Sequence, residues 1–129
     1  MINNSKYLFI YGTLLNADNH YGALLKNNSK YISPGSFNGL LYDLGEYPGA
    51  LYIPALDRKV YGDIVELTDL SILTQLDEYE GYGETEEQPN LYIRQIVPVE
   101  TGNEMIDCWA YIYNFPVDDS QLIPSGRYQ

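Results

Sequence analysis

"TDLSILTQLDEYEGYG", Thr68 to Gly83, is the stretch of this chain that reads most clearly as a helix, and what surrounds it decides the fold class. Thr68 or Asp69 is placed to cap its start and Gly81 to end it. At about 3.6 residues per turn, Ile72, Leu73, Leu76 and Tyr79 share one broad side. Nearly everything else reads as strand. "KYLFIYG", Lys6 to Gly12, is rich in β-formers and stops at glycine, while "KVYGDIVEL", Lys59 to Leu67, alternates. "LYIRQIVPVE" and "EMIDCWAYIYNF" flank "TGN" and read as a hairpin. A short helix fits around Tyr21 to Lys26. From Lys30 onward, strands are punctuated by expected turns at Pro34-Gly35 and Pro48-Gly49. Many short strands with one main helix predict an α+β domain, a highly curved sheet or small barrel with the helix across it. The pattern leaves strand order open.

Bulk properties narrow the function classes. With 129 residues the chain is long enough to bury one core, and an apolar fraction of 45% describes a globular protein. The formal charge is -11 with seven Lys and Arg in all, and no basic run exists, which argues against nucleic acid as a partner. The acidity favours cationic or neutral ligands at long range. "LFIYGTLL" is too short to span a bilayer and is followed by no small-residue cleavage pattern, so the expected location is the cytoplasm, with no membrane partner. Cys108 is the single cysteine, which excludes an intrachain disulfide, and its place in a strand reads as a small buried hydrophobe. His20 has no second histidine with which to build a zinc site. "ETEEQ", Glu84 to Gln88, lacks the spacing of a calcium loop and reads as a solvated flap whose position beside the helix end lets it border the cavity. Fourteen tyrosines against three phenylalanines suit strand packing in a β-rich fold, with one or two left to line a site.

Three carboxylates crowd the end of the helix. Glu78 points away among Ser71, Thr74 and Gln75, and Asp77 lies at the edge of the apolar stripe. Glu80 is four residues beyond Leu76 and seven beyond Leu73, which directs it at the core face. A carboxylate gains nothing from the dipole at a helix C-terminus. Two readings follow. Either the helix frays at Tyr79 and Glu80 swings out to solvent, or Glu80 is partly desolvated, its pKa raised, and it is suited to acid/base work near neutral pH. A second feature is Tyr11-Gly12-Thr13, where a strand ends in a glycine turn whose backbone N–H groups can accept a carboxylate or stabilise an oxyanion.

Taken in order, "FIYGTLL", "YDLGEYPGAL" (Tyr42 to Leu51), "VYGDIVEL" (Val60 to Leu67), "LDEYEGY" (Leu76 to Tyr82) and "LYIRQIVPV" (Leu91 to Val99) resemble the γ-glutamylcyclotransferase-like proteins over nearly the whole chain. That superfamily includes the γ-glutamylamine cyclotransferases and the avirulence-induced proteins. The resemblance implies one domain over residues 1–129, a small mixed β-barrel with short flanking helices and a single cavity. It places the substrate's α-carboxylate on the backbone of Tyr11, Gly12, Thr13 and Leu14. Glu80 falls on the catalytic glutamate, and Tyr92 and Arg94 on a site-lining tyrosine and arginine. Trp109 and Tyr111 are candidates for the cavity wall or for the core.

The implied partner is a small-molecule γ-glutamyl substrate, whose α-amine attacks its own γ-carbonyl and expels the attached amine, leaving 5-oxoproline. One carboxylate can take the ammonium proton and return it to the leaving amine, so no cofactor or metal is called for. The tail "SGRYQ" and the segment "NADNHYG" depart from the family pattern, and both are expected on the leaving-group side. The alternative function is a non-catalytic small-ligand-binding or interaction module on the same fold.

Overall fold

The structure is a computed structural model that describes residues 5–12, 20–45 and 47–128. Its elements are β1 (Tyr7–Ile10), α1 (His20–Asn27), β2 (Ser29–Asp43), β3 (Pro48–Tyr52), β4 (Lys59–Leu67), α2 (Ile72–Glu80), β5 (Tyr92–Thr101) and β6 (Glu104–Tyr113). The strands follow the order β3-β2-β4-β1-β6-β5, and β2 also meets β5 at Ser36 and Glu100, closing five of them into a barrel with β3 alongside β2. β1 runs antiparallel to β4 and parallel to β6, where Leu8 pairs with Trp109, so the barrel is mixed. The α+β barrel expected from the sequence is the observed fold. No helix among the described residues is long and apolar enough to cross a membrane.

Two apolar layers hold the elements together. Phe9, Phe37, Val60, Ile64, Val97 and Val99 fill the barrel. Leu8, Leu25, Val65, Ile72 and Leu76 form the second layer, between the barrel's outer face and the helices. β1 alternates between them, as strand geometry requires, and both of its faces are buried. Leu76 is fully buried, and truncating such a side chain to alanine typically costs ~2–5 kcal/mol.

Both Pro-Gly dipeptides play parts other than the expected turns. Pro34 and Gly35 lie inside β2, paired with Asp63 and Gly62 of β4, just beyond an irregularity between Tyr31 and Ser33. A Cβ on Gly35 would stand 2.7 Å from Val99 Cγ1 and 3.1 Å from the Glu100 carbonyl oxygen. The dipeptide thus lets β2 bend close against β5 at the barrel seam. Pro48 and Gly49 open β3, opposite Asp43 and Tyr42. The reversal falls earlier, where the Leu44 N–H donates to the Tyr47 carbonyl at 3.0 Å and Gly45 takes a φ of 111°.

The main helix begins later than either expected cap. Asp69 Oδ1 accepts from the N–H and hydroxyl of Ser71 at 3.0 and 2.6 Å, forming a side-chain turn ahead of Ile72. Its C-terminus is as expected: Gly81 is left-handed, with φ 72°, and the Tyr82 N–H reaches the Asp77 carbonyl at 2.8 Å. This cap carries the helix through Glu80 rather than letting it fray at Tyr79. The hairpin between β5 and β6 turns at Gly102, φ 57°, with Thr101 opposite Glu104. The tail folds back on β2 and β4, where the Ile123 N–H bonds Leu41 and Gly126 accepts from Tyr61, both at 2.8 Å.

Gly62 fixes how closely β1 and β4 approach. A Cβ there would sit 2.3 Å from the carbonyl oxygen of Ile10, a backbone atom with no freedom to yield. Gly62→Ala is expected to destabilise the protein by ~2–3 kcal/mol, toward the upper part of the range for overpacking. Urea unfolding with an unchanged m-value would show this. A midpoint equal to wild type would mean that the two strands separate freely.

Candidate active site

β1 delivers its chain to the mouth of a cavity of about 270 Å³, lined on one side by Tyr11 and Gly12 and on the other by Glu80. Tyr11 points into the barrel core, and its hydroxyl donates to the carbonyl of Tyr111. Gly12 lies against Pro48, whose Cγ would be 3.1 Å from a Cβ at this position, so the absence of a side chain lets the chain pass. Tyr92 crosses from β5 and donates to the Pro48 carbonyl at 2.5 Å, tying the wall to the start of β3. Tyr111 on β6 completes that wall and donates to Asp77 Oδ1 at 2.8 Å. Burial pushes the Tyr11, Tyr92 and Tyr111 phenols well above the ordinary tyrosine value, so their protons stay in place across the physiological range.

Glu80 reaches the cavity because Gly81 terminates α2 directly after it. Its carboxyl makes no hydrogen bond or ion pair with a described residue, although the cavity leaves it reachable by a ligand. Burial, and secondly the Asp77 charge, push it up to about 7 from the ordinary value of 4.5. Both protonation states are therefore populated near neutrality. Glu78, by contrast, is exposed on the far side of the helix.

The structure brings Glu80, Tyr11, Gly12, Tyr92 and Tyr111 to one cavity. Thr13 and Leu14 lie outside the described residues. Arg94 is not part of the lining; its Nε and Nη2 grip Asp77 at 2.7 and 3.1 Å. Trp109 is partly buried in the second layer, with its indole N–H on the Ser5 carbonyl at 2.9 Å. Arg127, expected on the leaving-group side, instead stacks on Tyr61 at 4.0 Å, at a separate hollow that shares no residue with the Glu80 cavity. Residues 84–88 also stay off the cavity wall, because Gln88 and Asn90 hold that loop to the carbonyls of Gly83, Glu86 and Glu87.

Tyr47, Pro48, Tyr79 and Leu91 line the cavity without having been singled out from the sequence. Tyr79 is also 43% exposed and stacks on Tyr21 of α1 at 4.7 Å, so the apolar stripe of α2 ends at Leu76. Tyr47 and Pro48 belong to "YDLGEYPGAL", and that stretch was the available signal. Cys108 is buried, its thiol pushed up to about 12 by burial and the neighbouring Asp107, as suits a core residue. Among the described residues no three His, Cys, Asp or Glu side chains converge as metal ligands.

The model of the family described as "Gamma-glutamyl cyclotransferase, AIG2-like" matches residues 8–129. The chain belongs to this family. The gamma-glutamylcyclotransferase family protein YtfP of Escherichia coli K12 is 31% identical over 122 residues, covering 92% of each chain. The solution structure of E. coli YtfP superposes with a TM-score of 0.66 at 29% identity, covering 95% of each chain. YkqA of Bacillus subtilis gives a TM-score of 0.70 at 25% identity, covering 97% of this chain and 40% of that one. An AIG2-like protein from mouse gives 0.71 at 24% identity, covering 98% and 90%, and shows the shared fold of this gamma-glutamyl cyclotransferase, AIG2-like family.

The raised Glu80 carboxyl has a stability consequence whose sign is fixed. Below 4.5 the group is protonated folded and unfolded alike; between 4.5 and about 7 only the folded chain keeps the proton; above that, the folded chain carries a desolvated charge. Ionisation of Glu80 therefore subtracts stability as pH rises through this window, by ~1–3 kcal/mol at most once water in the cavity mouth is allowed for. Glu80→Gln is expected to melt above wild type at about pH 8 and together with it at about pH 4.5. Equal melting at both pH values would show that the carboxyl is not desolvated.

Proposed function

We propose that the protein is a cofactor-independent γ-glutamyl cyclotransferase that releases 5-oxoproline and a free amine or amino acid, with Glu80 as its acid/base group. The observation that carries this reading is the Glu80 carboxyl itself, in a small cavity with no partner among the described residues and with its pKa raised to about 7 by burial. An ion pair or a solvated position would leave a glutamate fully ionised and too weak a base for an ammonium. Desolvation brings the two closer in proton affinity.

The reaction would run as follows. The substrate's α-carboxylate sits on the backbone of the turn that begins at Tyr11 and Gly12. Ionised Glu80 takes a proton from the α-ammonium, and the freed amine attacks the γ-carbonyl. A C–N bond forms, closing the lactam, and the original γ-amide C–N bond breaks. The proton held by Glu80 passes to the departing nitrogen, which leaves as the amine and restores the carboxylate, and the ring nitrogen gives up its second proton to the released amine through water. Cavity walls fixed by the bonds of Tyr11, Tyr92 and Tyr111 would hold the substrate with amine and carbonyl in contact, which lowers the entropic part of the barrier.

Incubation with a panel of γ-glutamyl amines and dipeptides, assayed for 5-oxoproline, tests the activity. Glu80→Gln is expected to lose ~10²–10⁴ in turnover or all of it, since the amide neither accepts nor returns a proton. Glu78→Gln should stay within a few-fold of wild type. The wild-type rate should fall as pH drops through about 7, because the protonated carboxyl is no base. A normally melting Glu80→Gln that still forms 5-oxoproline at the wild-type rate would overturn the mechanism. Ligand binding without turnover by the wild type would instead favour a binding module on this fold.

A further inference from the structure

Asp77 precedes Glu80 by three residues, which places the two on neighbouring positions of one helix face. Its carboxylate is 15% exposed and fully engaged: Oδ1 accepts from Arg94 Nε at 2.7 Å and from the Tyr111 hydroxyl at 2.8 Å, and Oδ2 from Arg94 Nη2 at 3.1 Å. The guanidinium is itself held, stacked 4.4 Å from the Trp109 ring with Tyr82 at 5.9 Å. One carboxylate thereby fastens three elements: the turn of α2 that carries Glu80, β5 through Arg94, and β6 through a tyrosine of the cavity wall.

We propose that Asp77, gripped by Arg94, is the positioning residue of this cavity, locking the Glu80 turn and the Tyr111 hydroxyl into one arrangement while the guanidinium balances its charge. A hydrophobic contact in the same place would join helix to barrel equally well. The two-point fork adds a fixed orientation and a defined charge beside Glu80.

The groups that face Glu80 are Tyr11 at the end of β1, Tyr47 before β3, Tyr92 on β5, Tyr111 on β6, and Tyr79 on its own helix, on which Tyr21 of α1 stacks. Among the described residues, the formal charge that acts on Glu80 is that of Asp77, which Arg94 pairs. Asp77 raises the proton affinity of Glu80. Removing the Asp77 charge should therefore ease ionisation of Glu80, and removing the guanidinium should oppose it. The two halves of one ion pair would act on Glu80 in opposite directions, which a merely structural bridge would not do.

This inference rests on the reading of Glu80 as the acid/base group, so the test includes a measurement made without substrate. Glutamate side-chain carboxyls are titrated by carbon-detected NMR, with the Glu80 signal assigned by its loss in Glu80→Gln. Asp77→Asn should lower the Glu80 midpoint by about one pH unit, and Arg94→Gln, which acts on Glu80 by leaving Asp77 unbalanced, should raise it by a smaller amount. Arg94→Lys keeps the cation without the fork. It should hold the midpoint near wild type yet lose ~10-fold or more in kcat on any γ-glutamyl substrate the wild type turns over, with KM little changed. Movement of both midpoints in the same direction, or of neither in proteins that melt normally, would overturn the proposal. Should Asp77→Asn and Arg94→Gln not fold, Arg94→Lys decides: a midpoint moved by a full pH unit, or a wild-type kcat, would sink it. If wild type shows no cyclotransferase activity while the midpoints move as stated, the proposed reaction fails and the coupling stands.

Discussion

A strand of four residues, Tyr7 to Ile10, has to be buried on both faces at once, and the rest of the molecule is arranged around that constraint. Leu8 and Ile10 go to the helix side while Phe9 and Tyr11 enter the barrel. The strand can be covered only if α2 lies across the outside and β2, β5 and β6 close around the inside. Its hydrogen-bonding edges are filled by β4 and β6, the second in parallel. The cavity lies along this strand, lined by Leu8 to Gly12 and by residues of both apolar layers. Site and core are therefore one packing problem: whatever holds β1 against β4, Gly62 included, also sets where Tyr11 and Gly12 stand relative to Glu80.

The legible parts of the fold and site were those with local causes. The apolar spacing of Ile72, Leu73 and Leu76 and the left-handed Gly81 lie within one short segment, so the helix could be read directly, while the direction of Glu80 stayed open until the cap was seen to carry the helix through it. The β5–β6 hairpin around Gly102 was legible for the same reason. Pro34-Gly35 carries an equally local turn signal but serves a distant need, the close approach of Val99 and Glu100 across the barrel seam. Nothing in the neighbouring residues reveals that need. Asp77 shows the same limit: its place at the edge of the stripe was visible, but its partner Arg94 arrives from another strand and joins it only after the chain has closed.

The Glu80 end of α2 runs against ordinary helix design. An acidic side chain in the last turn faces the negative end of the dipole, and here it is also desolvated beside a second carboxylate. Each effect opposes ionisation, and the surrounding fold sustains all of them through the Gly81 cap, the buried Leu76 and the Arg94 grip on Asp77. These opposing effects are what set the Glu80 carboxyl apart from the exposed Glu78 two residues earlier.

The hydrogen bonds of the cavity wall also give it a polarity. The Tyr11 hydroxyl proton points at the Tyr111 carbonyl, that of Tyr92 at the Pro48 carbonyl and that of Tyr111 at Asp77. A phenol whose proton is engaged in this way has only lone pairs left to offer, and an ionised carboxylate has nothing else. The Tyr11, Tyr92 and Tyr111 hydroxyls thus form a set of acceptors with no proton to give. Any ligand atom that meets them must bring an N–H or O–H of its own; a carbonyl or carboxylate turned the same way would set lone pair against lone pair. Hydrogen-bond direction, together with shape, thereby decides which end of a guest faces the tyrosines.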